Sequence, residues 1–111
     1  MLAALLQVPK TPLDWSIWSY AHRDSHNLIR GAIQAREGVN LDDYPLDPID
    51  LGEFPIFLAY NQQAHNAFNG ILGTQGTDLS TVDPTDANQL QAWVWLHYQE
   101  HMTASDVLGV S

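Results

Sequence analysis

The chain reads as all-α: a three-helix up-down-up bundle with a long Pro/Asp-rich strap between helices one and two. Three observations lead there. Two long apolar periods and one interrupted one follow the three- and four-residue steps of a helix face. Start signals of one form stand at Thr11-Pro12-Leu13-Asp14, Asp47-Pro48-Ile49-Asp50 and Asp83-Pro84-Thr85-Asp86. There is no long alternating run and no Asn-Gly step joining two such runs as a hairpin, so strands are not expected.

At 111 residues the chain is a single domain with one modest core. Residues 1–10 form an apolar arm without a preceding positive charge, too short to span a bilayer. The arm either folds back on its own core or docks on a neighbouring subunit, with Leu2, Leu5 and Leu6 as the contact residues. Helix one is expected over residues 12–37. Thr11 supplies the capping hydroxyl, Pro12 sits where its missing N–H costs nothing, Asp14 faces the positive end of the dipole, and Gly38 is the stop. Its inward stripe is Trp15, Trp18, Ile29 and Ile33, with His22 and His26 in the middle.

Residues 39–53 are the strap, anchored by Leu41, Tyr44, Leu46, Ile49 and Leu51, with a helical turn after Pro48. Its acids lack the spacing of a calcium-binding helix-loop-helix. Helix two is expected over 54–72, with Phe54, Phe57 or Leu58, Asn61, His65, Phe68 and Leu72 inward. Gly70, Gly73 and Gly76 follow a helix rather than a strand, so they end a helix and do not cradle a dinucleotide. Helix three is expected over 84–104, with Leu90, Trp93, Val94, His97 and His101 on one face.

Charge excludes several functions. The formal balance is −9, from thirteen acids against Lys10, Arg23, Arg30 and Arg36. Setting aside Asp14 and Asp24 leaves eleven acids from Glu37 onward, with no Lys or Arg among them. Such a chain repels phosphate backbones and anionic membranes, so no direct nucleic-acid or membrane partner is expected. Arg23 and Arg30, seven apart on helix one, and Arg36 beyond them can meet the acidic face of an identical neighbour, or pair with acids of their own chain. Without cysteine, thiolate chemistry and disulfides drop out, leaving His, Asp and Glu as metal ligands.

All five histidines stand at helical spacing: Trp18, His22 and His26; His65 between Asn61 and Asn69; and Trp93, His97 and His101. In a bundle they gather at one level. Such a layer is a buried hydrogen-bond network that includes Asn61 and Asn69, or a metal site, or a catalytic centre. Catalysis needs a cleft and a matched acid, and the nearby Asp24 and Glu100 fall off the stripe. The expectation is the network, with His22, His26, His65, His97 and His101 as metal ligands in the alternative and no cofactor otherwise.

Several strings resemble small proteins of tailed-phage genomes. They are Leu5-Leu6-Gln7-Val8-Pro9, Asp24-Ser25-His26-Asn27-Leu28-Ile29, Tyr44-Pro45-Leu46-Asp47-Pro48-Ile49, Gln63-Ala64-His65-Asn66, Asn69-Gly70-Ile71-Leu72-Gly73, Gly76-Thr77-Asp78-Leu79-Ser80, Trp93-Val94-Trp95-Leu96 and Gln99-Glu100-His101. The resemblance implies a non-enzymatic virion component, assembled in the bacterial host cytoplasm and acting through contacts with copies of itself or other virion proteins. It assigns no catalytic residue. The alternative is a small His-based metal-binding helical protein.

Overall fold

In the computed structural model, which describes residues 2–43 and 51–110, three helices carry the fold: α1 (Pro12–Glu37), α2 (Phe54–Leu72) and α3 (Ala87–Leu108). Short 3-10 helices precede the first two, at Leu2–Leu6 and Leu51–Glu53. No strand occurs among the described residues.

Local chemistry sets the helix ends. The Asp14 N–H donates to Thr11 Oγ1 at 3.1 Å while Asp14 Oδ2 accepts from the Thr11 N–H at 3.2 Å, a reciprocal capping box at the start of α1. Each helix stops at a glycine in the left-handed region: Gly38 (φ 70°), Gly73 (φ 68°) and Gly109 (φ 71°). α3 begins at Ala87 rather than at Pro84, because two acids divide the work. Asp83 holds a separate turn through the Thr85 N–H, and Asp86 caps the helix by accepting from the N–H groups of Asn88 and Gln89. Nothing interrupts α3 before Gly109, so it continues past Ala104 to Leu108.

The up-down-up order does not hold. Phe54 meets Trp15, Phe57 meets Trp18 and Trp93, and Phe68 meets His26 and His101. Numbers rise together along all three helices, so α2 runs parallel to α1 and α3. Antiparallel neighbours follow from short loops, and here the connections are long. The 73–86 connector can reach about 45 Å when extended, against about 28 Å for the length of α2, so it has room to return. It descends beside α3: Thr77 lies at Glu100, the Leu79 carbonyl at Trp93 and Asp83 at Gln89. In the strap, Leu41 packs at the far end of the bundle. Tyr44, Leu46, Ile49, the Leu51 side chain and the turn expected after Pro48 lie outside the described residues.

Two apolar clusters bracket the interior. The lower holds Trp15, Trp18, Phe54, Phe57, Leu79 and Trp93, joined by Leu5 of the arm. The upper holds Ile29, Ile33, Phe68 and Ala104. Leu5 is fully buried and its carbonyl accepts the Trp18 indole N–H, so the arm folds back on its own chain and Leu5 is no docking residue. Leu2 packs beside it, while Leu6 stays exposed. The basic face is also partly spent internally. Arg30 pairs with Asn27 and Asp43, and Arg36 donates to the Val107 carbonyl and lies beside Glu37. Arg23 is exposed.

Candidate metal centre

Between the two apolar clusters lies the layer that helical spacing creates. α1 contributes His22 and His26, α2 His65, and α3 His97 and His101. One ring nitrogen from each lies within 4.8 Å of every other. His65, His97 and His101 are fully buried and His22 nearly so, with His26 at the partly exposed edge. Indole rings form the floor: Trp93 stacks on His97 at 4.6 Å and 10°, and Trp18 on His22 at 4.7 Å and 20°. Phe68 closes the roof, 4.7 Å from the His65 ring.

Outer partners hold the rings. Glu100 Oε1 accepts from His65 Nδ1–H at 3.0 Å, which leaves Nε2 of that ring as a bare lone pair. Asn61 Oδ1 accepts from His97 Nε2–H at 3.2 Å, which leaves Nδ1 bare. Ser25 Oγ bonds His101 Nδ1 at 2.8 Å, and the Nε2 atoms of His22 and His26 are hydrogen-bonded to each other at 2.9 Å. His65 Nε2, His97 Nδ1 and His101 Nε2 are buried without any partner. Buried polar atoms are nearly always paired, so three orphans in one small volume call for a further occupant.

Electrostatics keeps the rings neutral. Burial, reinforced by the repulsion that charging any one ring would meet from another charged ring, holds His22, His26, His97 and His101 well below the ordinary imidazole range, with Arg23 and Arg30 adding to it at His22 and His26. Burial also lowers His65, against the opposing pull of Glu100. Burial raises the Glu100 carboxyl, but hydrogen bonds from His65, Thr77 and Asn69 outweigh it and hold the group down at about 2. An ionised Glu100 is therefore the fixed negative charge beside a set of neutral imidazoles.

The buried layer includes residues that the stripe reading passed over. Asn69 is buried but bonds Glu100 rather than a histidine, at 2.8 Å. Glu100 is a correction: it does not lie off the stripe but is 6% exposed and central to the layer's support. Its signal was present, since Trp93, His97, Glu100 and Ala104 follow four-, three- and four-residue steps on one face. Ser25, three residues after His22, carried the same signal. Thr77, in an irregular connector, carried none. Comparison of the chain with protein-family profiles, curated proteins and solved structures finds no match.

Proposed function

We propose that this protein binds one divalent transition-metal ion in its core, on His22, His26, His65, His97 and His101, and that the ion fastens three parallel helices together. The observation that carries the reading is the convergence of five histidines, each with a ring nitrogen within 4.8 Å of all the others, three of which also carry a buried, unpartnered nitrogen. Ligands on opposite sides of an ion bound at 2.0–2.1 Å stand about 4.1 Å apart, so only small side-chain adjustments bring this set onto one centre. Neutral imidazoles bind metal without first losing a proton. Imidazole nitrogen suits zinc, copper, nickel and iron, whereas calcium and magnesium take oxygen. The supporting bonds from Glu100, Asn61 and Ser25 match the outer partners that orient metal-bound histidines. A closed, buried set of protein ligands suits a structural ion, which agrees with a non-enzymatic role.

Elemental analysis of protein purified without chelator is the test. One zinc, nickel, copper or iron per chain is the expected result, with a melting temperature that chelator lowers. A metal-free protein whose melting ignores both chelator and added ion would leave a hydrogen-bonded layer holding water.

A second reading is compatible with the first: a non-enzymatic component of a tailed-phage particle, acting through contacts with its own copies or other virion proteins. One observation favours it. Leu13, Ile17, Tyr20 and Leu28 line the outer face of α1, with Leu13 69% and Tyr20 74% exposed. Light scattering at low salt is expected to show mass rising with concentration. A constant monomer mass with no co-purifying protein would count against it.

A further inference from the structure

We propose that Glu100 is a positioning residue that couples ion binding on the imidazoles to the seating of the 73–86 connector, so that metal occupancy fastens this outer segment. The inference rests on the metal-binding reading above. Its basis is that one carboxylate serves both places. Oε1 accepts from His65 Nδ1 at 3.0 Å and from Asn69 Nδ2 at 2.8 Å. Oε2 accepts from the Thr77 backbone N–H and the Thr77 hydroxyl, both at 2.9 Å. An ionised carboxylate offers about four lone-pair sites and no donor, so these four donors saturate it. On its Asn69 side the arrangement extends to Thr74, whose hydroxyl donates to Asn69 Oδ1 at 2.8 Å.

An ion on His65 Nε2 draws electron density from the ring and makes Nδ1–H a stronger donor. That tightens its bond to Glu100 and fixes the carboxylate against which Thr77 is held. Coupling of this kind is reciprocal, so a well-seated connector must in turn raise affinity for the ion.

Gly76 shows how close the seat is. A Cβ there would stand 2.7 Å from Asn69 Nδ2 and 3.6 Å from Glu100 Oε1. The Asn69 amide cannot swing aside without giving up its bonds to Glu100 and Thr74. Gly76 therefore keeps the connector seated without touching any imidazole.

The experiment is hydrogen exchange at the Thr77 amide in the full chain, with and without equimolar Zn2+, alongside calorimetric titration of Zn2+ into wild type, Gly76→Ala and Glu100→Gln. In wild type, Zn2+ is expected to slow Thr77 exchange by about tenfold or more. Glu100→Gln is expected to weaken Zn2+ binding by roughly 10–100-fold, the usual cost of losing an outer partner, and to leave Thr77 exchange the same with and without Zn2+. Gly76→Ala is expected to weaken Zn2+ binding several-fold with every imidazole intact. Zn2+ binding to wild type with unchanged Thr77 exchange, or binding undiminished in both variants, would overturn the coupling and leave the metal site standing. Failure of wild type to take up Zn2+ would overturn both. The wild-type exchange comparison does not depend on a variant folding.

Discussion

The lower apolar cluster and the histidine layer above it are built on the same helices by the same four-residue step, yet they end in different states. In the lower cluster burial alone suffices. Trp18 and Trp93 fill the space between the helices, and both indole N–H groups find backbone carbonyls, at Leu5 and Leu79. One step along, at His97, the ring is just as buried but only one of its nitrogens is satisfied, and the same holds for His65 and His101 in the same layer. Helical spacing therefore brings side chains to one level without completing their chemistry. The lower cluster is finished by the chain itself; on the reading proposed above, an ion finishes the layer over it.

Acid separates the two regions most sharply. Because burial depresses the native imidazoles, the unfolded chain binds more protons once pH falls below about 6.5, the ordinary histidine value. Stability of the metal-free protein is then lost as pH falls, by up to about 1.4 kcal/mol per pH unit for each imidazole. Glu100, held at about 2, adds a further loss below its unfolded value near 4.5. Circular dichroism against pH is expected to show cooperative unfolding between pH 6.5 and 5, displaced to lower pH by Zn2+. Helix content retained to pH 4 without any ion would show that the rings do not sit neutral in the core.

Mutation draws the same boundary with smaller effects. Phe57→Ala, in the lower cluster, should cost about 3–5 kcal/mol in denaturant unfolding, with and without metal alike. His97→Leu should have a split effect. In the metal-free protein it removes an unpartnered nitrogen but also the donor to Asn61 Oδ1, so a loss of about 1–3 kcal/mol is expected there. It also removes the roughly 3 kcal/mol that an ion at a hundredfold excess over its Kd adds to wild type. An equal loss in both states would make the layer ordinary packing. Thr11→Ala, remote from both regions, should cost about 1 kcal/mol through the helix cap and leave metal content unchanged.

Helical class was legible because the local signals agree: hydroxyl, proline and acid at the start of α1, glycine at its end, and apolar residues at one period between. The histidine cluster was legible for a related reason. Any packing of three amphipathic helices buries the face that carries His22, His65 or His97. Direction was not legible, since connectors of this length permit α2 to run either way and only the pairing of Phe54 with Trp15 and Phe68 with His101 decides it. Ser25 and Glu100 were hidden by a stripe drawn too narrowly, as both lie on buried faces at three-residue steps from a histidine. Thr77 could not be read at all. Its role depends on where an irregular connector passes Glu100, and no period governs that.

X-ray absorption on protein loaded with one equivalent of Zn2+ or Ni2+ tests the central claim most directly. The account predicts a first shell of nitrogen alone at about 2.0–2.1 Å, with the outer-shell scattering of several imidazole rings, lost in His97→Leu/His101→Leu. A first shell dominated by carboxylate oxygen, or a chain that retains no ion after desalting, would contradict it.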